Sequence, residues 1–124
     1  MKDENFLKEF YPNGKLEWVI PLKNGKRHGN ACRYFESGLV SISRQYADGK
    51  IEGEETIYFS DGTVQSQTTY KNGKKNGSYR TWYRNGQLDI DGWYLNDQKH
   101  GHWIRRDDDN NLIFEGDVVD GVQK

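Results

Sequence analysis

Turn glycines recur in register every 24 residues along this chain, and that period constrains the fold more than any other feature. The clearest unit is Tyr70 to Gly77, reading Y-K-N-G-K-K-N-G; its counterparts are Tyr46 to Gly53 and Tyr94 to Gly101, with further steps at Leu22 to Gly29 and Val118 to Gly121. A second series runs in phase at Tyr11 to Gly14, Phe35 to Gly38, Phe59 to Gly62 and Tyr83 to Gly86, then decays to Asp107 to Asn110. Each unit therefore carries two turns. Disordered chains have no reason to hold glycines in register, so the repeat outweighs the low apolar content that would otherwise suggest disorder.

Asn-Gly and Asp-Gly pairs tolerate the positive φ angles that tight hairpin turns demand. They stand at Asn13-Gly14, Asn24-Gly25, Asp48-Gly49, Asp61-Gly62, Asn72-Gly73 and Asn85-Gly86. Turns about a dozen residues apart leave room only for short strands. Alternation sets the faces: Leu16, Trp18, Ile20 and Leu22 fall on one side, as do Val40, Ile42 and Tyr46, then Val64 and Tyr70, then Leu88, Ile90 and Tyr94, then Leu112, Phe114 and Val118. Opposite positions are mostly polar, the period of two expected of a strand buried on one face. Aromatic pairs Tyr34-Phe35, Tyr58-Phe59 and Trp82-Tyr83 put one ring on each side. The expected fold is all-β, a single-layer antiparallel β-meander of repeated hairpins forming an elongated twisted sheet of about nine or ten strands, roughly 45–50 Å long. The chain reads as one domain, with a partial repeat over 1–10, regular repeats over 11–106 and a degenerate repeat or cap over 107–124.

Composition narrows the function classes. The net charge of −1 gives no general electrostatic case for nucleic acid or an anionic membrane. Cys32 is the sole cysteine, which excludes an intrachain disulfide and suits a reducing compartment. The first ten residues lack an apolar signal core, so a cytoplasmic protein is expected.

These units resemble the MORN-repeat superfamily, and more closely its bacterial variant, whose units read Y-x-N-G-K-x-x-G followed by an aromatic pair and a second x-N-G turn. The resemblance covers residues 11–121. Asp97, where glycine is expected, and the acidic Asp107 to Asn110 depart from the pattern. MORN repeats are binding and scaffolding modules for proteins and sometimes membrane lipids. Many small bacterial proteins of the variant type serve as antitoxins of toxin–antitoxin systems, and similar domains act as immunity proteins. The resemblance thus implies a protein partner, a toxin first among the candidates.

Residues with catalytic potential do not assemble into a constellation. His100 and His102 would share a strand face and could ligate a metal, but His28, Glu52 and Asn76 occupy the same repeat position as His100, so the slot takes polar residues generally. No nucleophile elbow, P-loop or dinucleotide-binding glycine motif is present. Neither an enzyme nor a cofactor is expected.

Charge is uneven along the chain. No acidic residue lies between Asp61 and Asp89, where Lys71, Lys74, Lys75, Arg80 and Arg84 fall, while Asp107, Asp108, Asp109, Glu115, Asp117 and Asp120 load the final segment. The acidic end also suits protection of a sheet edge. Trp93 aligns with Pro21, Gln45, Thr69 and Asp117, a mostly polar series, so it stands out as an interface anchor. Trp103 aligns with Ala31, Glu55 and Tyr79 and is read as local core in the last repeat. The candidate partner-binding set is Trp93, Tyr79, Trp103, Lys74, Lys75, Arg80 and Arg84. An antitoxin or immunity protein is the leading reading; the alternatives are a general scaffold, or a module that binds lipid or another anionic surface through segment 71–84. Open sheet edges also leave a homodimer available.

Overall fold

The structure is a computed structural model, and it describes residues 5–119 together with the backbone of Val122–Gln123. Strands β1 (Phe6–Phe10), β2 (Leu16–Lys23), β3 (Lys26–Arg27), β4 (Gly29–Tyr34), β5 (Val40–Ala47), β6 (Lys50–Tyr58) and β7 (Val64–Lys71) are followed by β8 (Lys74–Trp82), β9 (Leu88–Leu95), β10 (Gln98–Lys99), β11 (Gly101–Arg106), β12 (Leu112–Val119) and β13 (Val122–Gln123). All lie in one antiparallel sheet in chain order; β3 with β4, and β10 with β11, are the two halves of a broken hairpin arm. The expected single-layer meander is the fold. Residues 1–4, Asp120, Gly121 and Lys124 of the expected first and last repeat lie outside the described residues.

The two turn series have different conformations. At Asn24-Gly25, Asp48-Gly49 and Asn72-Gly73 both residues take positive φ, the two-residue type I′ hairpin. At Gly14, Gly38, Gly62 and Gly86 only the glycine does, closing a longer turn in which the amide of Gly14 donates to Tyr11 O at 2.9 Å and that of Tyr11 to Lys15 O at 2.8 Å. Residue Asn13 and its equivalents Asp61 and Asn85 instead accept from the amide two residues on, the local bond that suits Asx side chains to turns.

Both departures from the repeat keep its geometry by side-chain means. Asp97 holds φ at 71°, its amide donates to Lys75 O as that of Gly73 does to Ile51 O, and its carboxylate adds a bond from the Lys75 amide at 2.7 Å. Asn110 replaces the turn glycine at φ 69°, and Asp107 accepts from the amides of Asp109 and Asn111 at 3.0 and 2.8 Å. The acidic turn is therefore a full member of the series, with hydrogen bonds where the others place an aromatic ring.

One expectation on strand faces is corrected. Phe10 pairs with Leu16 but Glu9 pairs with Trp18, so Glu17 is an extra residue and Leu16 and Trp18 face opposite sides. The same shift recurs at Ser41, Gln65, Asp89 and Ile113, separating Val40, Val64, Leu88 and Leu112 from the residues two places on. A bulge inserts one unpaired residue and reverses the alternation beyond it, which simple period-two reading misses.

Packing runs along the sheet. One row across the middle of the aromatic face reads Ala31, Arg44, Glu55, Thr68, Tyr79, Gly92, with Trp103 and Gly116 paired beyond. Large side chains sit beside small ones: Ala31 is fully buried, and a Cβ built on Gly92 would fall inside the indole of Trp103. In the N-terminal half, Ile20, Ala31 and Tyr46 pack together with Trp18 and Ile51. Between the halves Arg44 donates to Glu55 at 2.6 Å, with the Glu55 side chain only 8% exposed. Each unit thus contacts its neighbours alone, the stability pattern of a linear repeat.

Candidate functional site

In the last two hairpins the aromatic face becomes a ring cluster. Tyr79 on β8, Tyr94 on β9 and Trp103 on β11 meet with Tyr94 edge-on to both partners, at centroid distances of 5.3 and 5.4 Å, while Tyr79 and Trp103 lie tilted at 5.9 Å. Edge-to-face contacts suit the aromatic quadrupole. Trp103 donates its indole N–H to His100 O at 3.1 Å, which satisfies the one polar atom of an otherwise buried ring. Burial pushes the phenols of Tyr70, Tyr79 and Tyr94 above their ordinary range.

Two lysines stand over these rings. The ammonium of Lys75 lies 4.9 Å from the Tyr94 centroid and 5.7 Å from that of Tyr79; Lys99 lies 5.0 Å from Trp103. Cations above ring faces are held electrostatically, and of the two Lys99 is exposed and Lys75 half-buried. At Lys99 opens a cleft of about 350 Å³, lined besides by Trp103, Phe114, Val118, Arg105 and the isoleucines Ile90, Ile104 and Ile113. No acidic side chain lines it. Arg105 gives its Nε–H to Asp89 at 3.1 Å, and Asp89 also accepts from the Tyr83 hydroxyl at 3.0 Å.

The seven residues singled out from the sequence separate in space. Tyr79, Trp103 and Lys75 come together on the aromatic face. Trp103 is 5% exposed, packed against Tyr79 and Tyr94 and among the residues that line the cleft. Trp93 pairs with Ser78 on the reverse face and is 48% exposed. Arg80 shares that face and pairs with Asp91 at 3.2 Å. Lys74 sits opposite Lys71 at a hairpin tip, and Arg84 lies in the turn at the other end of β8, 4.7 Å from the Phe59 centroid. The sequence reading missed Lys99, Tyr94 and Phe114. Lys99 is the repeat equivalent of Lys75, which was the available signal.

His102 does not join His100. Its two ring nitrogens meet Asp117 and Glu115, each at 2.9 Å, on the exposed reverse face, and these hydrogen bonds raise its pKa above the ordinary value. Among the described residues no group of three or more His, Cys, Asp or Glu has a metal-holding arrangement. The polar residue before Gly29 and before Gly53 has a structural role: His28 Nδ1 and Glu52 accept the turn amides of Asp48 and Asn72 in the following repeat, at 3.2 and 2.9 Å.

A profile of the MORN repeat variant matches residues 7–24, 51–72 and 75–96, half of the chain. The chain belongs to this MORN repeat variant family. No curated protein matches it significantly. Among solved structures, a chain in the structure of accessory secretory protein 1, 2 and 3 in Streptococcus pneumoniae aligns at 17% identity and TM-score 0.46, covering 86% of this chain and 20% of that one. A GtfA/B complex bound to UDP and GlcNAc aligns at 15% identity and TM-score 0.38, covering 93% of this chain and 23% of that one. This MORN chain spans about a fifth of the length of those chains. Among its described residues no helix is long and apolar enough to cross a membrane, which says nothing of strands.

Proposed function

We propose that this MORN protein is a non-catalytic protein-binding module, and that its partner is a toxin which it neutralises by direct contact, as an antitoxin or immunity protein of the cytoplasm. The observation that carries the binding reading is apolar surface left exposed at both ends of the sheet: Phe6 at 46% and Phe10 at 58% on the first strand, Trp93 at 48% and Leu95 at 42% on the reverse face of the last hairpins, and Ile113 at 53% among the residues that line the cleft. Isolated apolar residues on a surface are ordinary, but an exposed side chain that lines a largely apolar cleft, as Ile113 does, suits an interaction site. The toxin-neutralising part draws on the resemblance to small bacterial members of the variant type.

Affinity capture of the tagged chain from its native lysate, with co-purifying chains identified by mass spectrometry, tests this reading. One stoichiometric small protein that is toxic alone and harmless with this chain is the expected result. Several partners without neutralisation would favour a scaffold. Retention by anionic vesicles, lost steeply as salt rises, would favour the lipid reading through Lys71 and Lys74.

A further inference from the structure

We infer that the Trp103 cleft and the two lysines above the ring cluster form one recognition groove for an acidic segment of the protein partner, with carboxylates three residues apart followed by a bulky apolar side chain. This inference rests on the protein-binding reading and specifies where and what the chain binds. Lys75 and Lys99 occupy the same repeat position on arms two strands apart, so their stems are about 10 Å from one another across the sheet. A polyproline II chain places residues i and i+3 on one side about 9 Å apart, which matches that spacing, whereas a β-strand puts i+3 on the opposite face. The partner chain therefore crosses the strands as an extended three-fold helix, with one carboxylate over each lysine.

Charge complementarity argues for an acidic occupant. Neither lysine takes an ion pair with another described residue, and each stands over aromatic rings, Lys75 half-buried and Lys99 exposed. Two carboxylates stand nearby and both are engaged: Asp97 accepts the backbone amide of Lys75, and Asp89 holds Arg105 and Tyr83. At Lys99 the cleft of about 350 Å³ is lined largely by apolar side chains, Ile90, Phe114 and Val118 among them, and has room for a large side chain. Arg105, which also lines the cleft, has guanidinium N–H groups beyond the Nε–H given to Asp89 for a backbone carbonyl or chain-terminal carboxylate.

The test is an NMR titration of the full chain with two synthetic peptides, Glu-Pro-Pro-Glu-Pro-Leu and the same sequence with lysine in place of both glutamates. The acidic peptide should move the Trp103 indole N–H and the amides of Ile90 and Phe114. Lys99→Glu should weaken it by about tenfold or more while the spectrum of the free protein stays folded. The lysine peptide should leave the spectrum unchanged. Equal binding of both peptides, no shift with the acidic one, or shifts confined to Trp93 and His102 on the reverse face would each overturn the groove. Failure here alongside a neutralised partner in the capture experiment removes the groove and leaves the binding function standing. Peptide binding without any such partner keeps the groove and removes the antitoxin reading.

Discussion

The indole of Trp103 lies over the backbone of Gly92, in the space that a side chain at that position would need. Gly92→Ala should therefore cost about 1–3 kcal/mol as overpacking. Trp103→Ala should cost more, about 3–5 kcal/mol, because it empties the centre of the ring cluster. Urea denaturation of both variants checks the order; a Gly92→Ala protein as stable as the parent would mean that the ring does not rest there.

Gly77 carries two constraints that Gly14 does not. Its φ is +129° and an added Cβ would lie 3.0 Å from Thr69, whereas a Cβ at Gly14, with φ +88°, meets nothing within 4 Å. Gly77→Ala should lower the melting temperature more than Gly14→Ala, and the double variant Gly77→Ala, Thr69→Ser should recover part of the difference. Equal losses at the two glycines would show that φ alone governs both.

The Arg44–Glu55 pair joins the two packed halves of the row. Glu55→Ala strands a guanidinium that also donates to the Tyr46 hydroxyl at 3.2 Å, and should cost about 3–5 kcal/mol. Replacing both members by apolar residues of similar volume, as Arg44→Met with Glu55→Leu, should restore most of that loss. A double variant no better than Glu55→Ala would indicate that the charges are needed for more than their own mutual satisfaction.

His102 and Asp107 set opposite pH responses. The folded-state pKa of His102 is raised by Asp117 first and Glu115 second, so its contribution is complete below its unfolded value of about 6.5 and fades as pH climbs through the folded value. The pKa of Asp107 is lowered, chiefly by the Asn111 amide, so its contribution is present above an unfolded value of about 3.9 and fades as pH falls through the folded value. Proton NMR titration should place the His102 midpoint above 6.5, returning toward it in Asp117→Asn. The protection of the Asn111 amide against exchange, relative to an unstructured amide at the same pH, should fall on acidification through the folded pKa of Asp107. A His102 midpoint unmoved by Asp117→Asn would dismiss the first contact.

The sheet, its chain-order topology and both turn series were legible in the sequence because glycine and asparagine at fixed spacing have few alternatives to hairpin turns. Bulges at Glu17 and its equivalents were not legible, since an extra residue leaves composition unchanged and shows only in pairing. The packing of Trp103 was half visible. Its own series, Ala31, Glu55 and Tyr79, marked it as unusual, but the decisive residue is Gly92 in the neighbouring series, and only cross-strand register brings the two together. Splitting of the basic segment over two faces follows from the same cause: Lys74 and Lys75 are adjacent in sequence and so point opposite ways in a strand.

Co-expression gives the most direct measurement of the central claim that this chain works by binding and neutralising a protein. The captured partner is placed under an inducible promoter, with and without this chain, and growth is followed alongside calorimetric stoichiometry of the purified pair. The account predicts growth arrest by the partner alone, full rescue by this chain and a closed, saturable complex. Rescue without a complex, or a complex with no effect on growth, would contradict it.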